Sequence, residues 1–153
     1  MLYPRILVYE GDGALARLLR PLAEARRWSL REPRRPEACL ALLRRGDPGV
    51  LVLKLGQDVV RELGLLERVH WLHPNAASLV VADVEDASLD NLAWELGAAC
   101  VWTAPRPRDL LPAIVAGLME AAISRQRLGH EALADAGKGA GPPSGTEHEA
   151  SRP

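Results

Sequence analysis

Val50-Leu51-Val52-Leu53 is apolar at four successive positions with no polar alternation, the pattern of a central parallel strand covered on both faces. Such a strand needs flanking strands and two helical layers, so the rest of the chain must supply them. Ile6-Leu7-Val8-Tyr9 is a first β-rich run. After Glu10-Gly11-Asp12-Gly13 the apolar spacing changes to Leu15, Leu18, Leu19 and Leu22, the i, i+3, i+4, i+7 period of a helix. Pro21 falls inside that helix and predicts a kink near Arg17. Trp28 to Glu32 is a weaker strand, followed by a helix in which Pro36 suits the first position and Cys39, Leu42 and Leu43 face inward.

The turn Gly46-Asp47-Pro48-Gly49 leads into the central strand. A helix from Asp58 to Trp71 then stops at His73-Pro74-Asn75. Ser78 to Ala82 is the fourth strand. Leu89, Leu92, Ala93 and Leu96 mark a helix that Gly97 ends in a left-handed cap, and Ala99 to Thr103 is the fifth strand. Leu110, Leu111, Ile114, Val115 and Leu118 mark the last helix, which can continue past Arg127. From Ala136 the composition turns to Gly, Pro, Ser, Glu and His, too little apolar surface to offset ordering entropy. The expected division is therefore one domain over residues 1–127, then a helix extension and disordered tail over 128–153. Five strands alternating with five helices give an α/β fold, a three-layer doubly wound parallel sheet of the flavodoxin type. Ligands in such sheets sit beyond the carboxyl ends of the strands. That directs attention to Glu10 to Asp12, Lys54, Ala82 to Asp83, and Thr103 to Pro105.

Composition narrows the function classes. Nineteen Lys and Arg balance 20 Asp and Glu, for a net charge of −1, which excludes a strongly basic nucleic-acid footprint. Seventeen of the basic residues are Arg, so a cluster of arginines is not by itself a phosphate site. The apolar runs are far shorter than the roughly 18 residues that span a bilayer, and Met1 to Arg5 lacks the pattern of a secretion signal. A cytoplasmic location without membrane or nucleic-acid contact is expected. Cys39 and Cys100 sit in apolar segments and read as small buried hydrophobes of a reducing compartment.

At the strand ends the sequence resembles the receiver domains of two-component response regulators, the CheY-like fold, over roughly residues 4 to 125. Arg5 to Asp12 resembles that family's first strand and acidic pair. Cys39 to Arg44 with Pro48 to Leu55 resembles its second helix and central strand, and Gly97-Ala98 and Thr103-Ala104-Pro105 resemble the segments that end its fourth helix and fifth strand. The resemblance implies a phospho-accepting Asp after the third strand, an acidic pair holding Mg²⁺, a Thr or Ser switch, and a Lys that contacts phosphate. Here Lys54 stands at the acceptor position, Glu10 and Gly11 at the acidic pair, Ala82 at the hydroxyl residue, and Ala104, before Pro105, at the lysine. An ammonium cannot carry a stable acyl phosphate and Mg²⁺ needs oxygen ligands, so the pattern is that of a pseudo-receiver with no catalytic residue, metal site or cofactor.

Lys54 beside Glu10, and also Asp12, predicts an ion pair that locks the pocket; the alternative is a solvated Lys54 head, and a Schiff-base role lacks a substrate pocket. Asp58 is either a displaced phospho-acceptor, a role open to Asp12 as well, or the cap of the third helix. Asp83 and Asp86 reach toward the pocket rim, with Asp86 better read as a helix cap. Gly11-Asp12-Gly13 lacks the full spacing of a phosphate loop, and His70, His73, His130 and His148 lack zinc-site spacing. Trp94 lies off the Leu89, Leu92, Ala93, Leu96 stripe and is the expected interaction anchor on the face of the fourth helix, fifth strand and fifth helix. Trp28 and Trp102 read as structural, while Trp71 is open. The expected partner is a protein: a kinase, a regulator, or a second copy in a homodimer. A flavodoxin-like small-molecule binder is the reading from another class, and it lacks a phosphate-binding loop.

Overall fold

The computed structural model describes residues 2–138. Its elements are β1 (Arg5–Tyr9), α1 (Ala14–Arg26), β2 (Ser29–Arg31), α2 (Pro36–Leu43), β3 (Gly49–Leu55), α3 (Val59–Leu72), β4 (Ala76–Ala82), α4 (Ala87–Glu95), β5 (Cys100–Thr103) and α5 (Leu111–Lys138), with a 3₁₀ turn at Arg108–Leu110. All strands are parallel and lie in the order β2-β1-β3-β4-β5. Val50, Leu51, Val52 and Leu53 are wholly buried in the central strand, as their unbroken apolar run requires. Alternation along β3 sends Leu51 and Leu53 into the core beneath α2, α3 and α4, and Val50 and Val52 into the core beneath α1 and α5.

Local chemistry sets most boundaries. Pro36 occupies the first position of α2, where its missing N–H costs nothing. Asp58 caps α3 by accepting from the Arg61 N–H at 3.2 Å, and Asp86 caps α4 by accepting from Ser88 and Leu89 at 3.0 and 3.2 Å. Gly97 follows α4 at φ +107°, and a Cβ there would overlap the His70 ring. α1 runs from Ala14 to Arg26 with Pro21 inside it, Pro21 and Arg17 both on its exposed side.

Several expectations shift. Leu89, Ala93 and Leu96, at i, i+4 and i+7, form the inward line of α4, whereas Leu92 lies about 100° round from Ala93 and is 39% exposed rather than facing the sheet. Leu110 falls in the 3₁₀ turn and is exposed, so the buried stripe of α5 begins at Leu111. Cys39 is buried but Cys100 only partly so. α5 continues unbroken through Ala136 to Lys138, beyond the expected start of the tail, because extending an existing helix through Ala132, Ala134 and Ala136 costs little. Residues 139–153, the remainder of that expected tail, lie outside the described residues.

Candidate functional site

The carboxyl ends of β1, β3 and β4 border a cleft of about 460 Å³. Lys54, next to last in β3, is 15% exposed, and its Nζ lies 3.2 Å from Asp12 Oδ2 and 3.4 Å from Asp83 Oδ2. β1 and β4 flank β3 in the sheet, so Asp12 and Asp83, which follow those two strands, meet the ammonium from either side. Asp83 also accepts from the Arg108 guanidinium. Asp12, Lys54, Asp83 and Arg108 thus form one chain of charges from the β1–α1 loop to the turn that enters α5.

Glu10 is not the expected partner of Lys54. Its two carboxylate oxygens accept the Leu15 and Ala16 N–H groups, each at 3.0 Å, because Gly13 at the head of α1 has no side chain to cap it and free amides with the helix dipole attract a carboxylate. Asp12 also accepts the Ala14 N–H at 3.2 Å. That backbone bond, followed by the bond from Lys54, holds the Asp12 carboxyl below the usual carboxylate range.

Gly11 provides no side-chain ligand and is covered: a Cβ there would overlap the Gln57 carboxamide. Gln57 follows Gly56, whose N–H donates to Glu62 Oε1 at 2.9 Å. Glu62 is 4% exposed, and this bond keeps its carboxylate from being buried without a partner. Tyr9 lines the same cleft, and desolvation pushes its phenol up, partly offset by Arg61. Ala82 ends β4 and its carbonyl accepts the Ala104 N–H at 3.2 Å; Ala104 joins Pro105 through a cis peptide. Neither alanine side chain can hydrogen-bond.

The donor set does not fit a hard divalent cation, which takes six or more oxygens and tolerates no ammonium among them. Both Glu10 oxygens are engaged, Gly11 offers no side-chain oxygen, and Asp12 and Asp83 face Lys54. Among the described residues no group of three or more His, Cys, Asp or Glu side chains is placed to hold a metal ion. Asp58 lines the cleft but serves α3 as its cap. Asp83 reaches the rim as expected, and Asp86 remains with α4.

Arg108, Gln57 and Glu62 escape the sequence reading. Arg108 sits in a Pro-punctuated turn with no periodicity, and Gln57 in a loop. Glu62 had a signal, since it shares the buried 62, 66, 69 line of α3 with Leu66 and Val69. Away from the cleft, Trp94 is 50% exposed. Trp102 is tied down by its Nε1–H to the Pro107 carbonyl at 3.2 Å and lies under Arg106, and Trp28 packs beneath Arg26. Trp71 is exposed, edge-on to His70.

No family model and no curated protein sequence matches the chain. Solved structures do. The signal receiver domain of a protein described as a Luxo repressor, from Vibrio parahaemolyticus, superposes with a TM-score of 0.69 at 17% identity, covering 83% of this chain and 98% of that one. A CheY-like response regulator receiver domain protein from Methanospirillum hungatei gives 0.61 at 22% identity, over 78% and 96%. A response regulator from Thermotoga maritima gives 0.65 at 17% identity, over 78% and 99%. The fold is the CheY-like receiver fold.

Proposed function

We propose that this chain is a receiver-type signalling module that works without phosphotransfer or any other enzymatic activity, by binding proteins through the face formed by α4, β5 and α5. The observation that carries this reading is the Lys54 ammonium held between Asp12 and Asp83. A fixed cation supplies the charge that a bound metal would otherwise bring to this end of the sheet, and it offers no oxygen to phosphorylate. Ala82 and Ala104 add neither a hydroxyl nor a cation, so a phosphoryl group placed here would find none of the donors that make its transfer and retention favourable. On the proposed contact face, the half-exposed Trp94 is the side-chain type on which interface energy concentrates.

The test is incubation of the protein with a small phosphodonor and Mg²⁺ followed by intact-mass analysis, alongside NMR titration with Mg²⁺ and beryllofluoride. We expect no mass increase and no shifts localised to Glu10, Asp12 or Lys54. A phosphorylated species mapping to Asp12 or Asp58, or Mg²⁺ bound at millimolar or tighter affinity near Glu10, would establish an unconventional phospho-receiver instead.

A further inference from the structure

Charge runs across the sheet in one direction. Residues 14–45, which form α1, β2 and α2 at one edge, carry nine arginines against three glutamates; residues 69–108, which include β4, α4 and β5 at the other edge, carry five acidic residues against two arginines, Arg106 and Arg108. A chain-wide preference for arginine would have populated both stretches alike, so the asymmetry belongs to position.

Each edge also has a shape. On the basic edge, a groove of about 530 Å³ beside α2 and β2 is lined by Pro33, Ala38, Ala41 and Leu42 together with Arg5, Arg31 and Arg45, and by Glu32, whose carboxylate pairs with Arg20. Arg31 and Arg45 are exposed and neither forms an ion pair among the described residues. On the acidic edge, α4 presents Trp94 at 50% and Leu92 at 39% exposure, with Asp90 and Glu95 on the same helix and without ion-pair partners among the described residues. The Trp94 indole, with the Asp90 carboxylate one turn back on the same side of α4, complements an apolar groove flanked by guanidinium groups. Guanidinium also covers indole twice within this fold, Arg26 on Trp28 at 5.4 Å and Arg106 on Trp102 at 5.3 Å, an arrangement favourable in itself.

We infer that the partner of the α4 face is the α2/β2 groove of a second copy of this chain, engaged head to tail. The inference rests on the reading of α4 as a contact face. α2 and α4 lie in the same helical layer at opposite edges of the sheet, so the two surfaces of one molecule cannot meet each other. The contact is heterologous, so each added copy leaves one groove and one α4 face free and assembly continues beyond a pair, into a ring where the rotation closes and an open chain where it does not.

The test uses the full chain in sedimentation velocity over a concentration series at low and high salt. Wild type is expected to grow beyond a dimer with concentration and to dissociate in salt, which screens exposed charges. Trp94→Ala and the double variant Arg31→Glu/Arg45→Glu should each weaken self-association about thirtyfold, the effect of losing a hot-spot contact. Mixed in equal amounts, they should form a 1:1 heterodimer and nothing larger, because each retains the surface the other lacks; misfolded variants could not do so. A wild type that stays monomeric at every concentration overturns the head-to-tail contact. So does an Arg31→Glu/Arg45→Glu protein that associates like wild type while Trp94→Ala does not, and that pattern leaves the α4 face standing. Undiminished association of Trp94→Ala removes the α4 face as well.

Discussion

Lys54 separates two carboxylates that would otherwise repel each other across the cleft. Lys54→Asp gathers three carboxylates there without a cation, so the fold should lose about 1 kcal/mol, or about 3 °C in thermal midpoint. Added Mg²⁺ should recover part of that loss by binding the folded state alone. A melting curve identical to wild type, with or without Mg²⁺, would make Lys54 a solvated side chain with no structural role. The two thiols differ by environment. Burial pushes Cys39 up to about 12, so almost no thiolate exists at mildly alkaline pH. The Cys100 thiol is also raised by desolvation, with Arg106 opposing. An alkylating reagent followed by peptide mapping should therefore label Cys100 slowly in the native protein and Cys39 only after unfolding in urea; native labelling of Cys39 at the Cys100 rate would contradict its burial. Residue types at the strand ends were legible because each strand end must point at the cleft. The identity of Lys54's partners was not, since Glu10 had a competing attraction to the amides of α1 that only three-dimensional placement resolves.

Among the elements, α1 depends on a cap supplied from outside itself. With Gly13 at its head and Glu10 reaching forward to Leu15 and Ala16, Glu10→Ala should cost about 1 kcal/mol, the usual loss for a helix cap. Glu10→Gln, which keeps one acceptor oxygen, should restore part of it in the same urea titration, and equal stability of all three proteins would show that water replaces the cap without loss. The strands were readable from short apolar runs, β2 most weakly, and the long helices from their apolar periodicity. β3 and β4 each extend past their apolar runs, to Gly49 and Leu55 and back to Ala76, because pairing with neighbours recruits flanking residues that have no pattern of their own. α4 was misread at Leu92 for a related reason. In a nine-residue helix a stripe of four apolar positions leaves the inward line ambiguous, and the sheet chose the one through Ala93. The turn carrying Arg108 gave no periodic signal at all.

The whole molecule is a sheet with unlike edges, basic where β2 ends it and acidic along α4, and the proposed association should therefore respond to salt more than folding does. Fold class was the most legible property at this scale, since one unbroken apolar strand forces helices onto both faces. Edge-to-edge charge was hidden, because a sequence count of 19 against 20 averages it away and only the strand order separates the two populations in space. The charge chain from Asp12 through Lys54 and Asp83 to Arg108 has a temporal consequence. A phosphoryl group hydrolyses and a metal ion exchanges, but a lysine side chain leaves only when the polypeptide is destroyed. On the proposed reading, in which no phosphoryl group is accepted, a module governed by Lys54 would have no clock of its own: its output would follow how much of it is synthesised and how fast it is degraded.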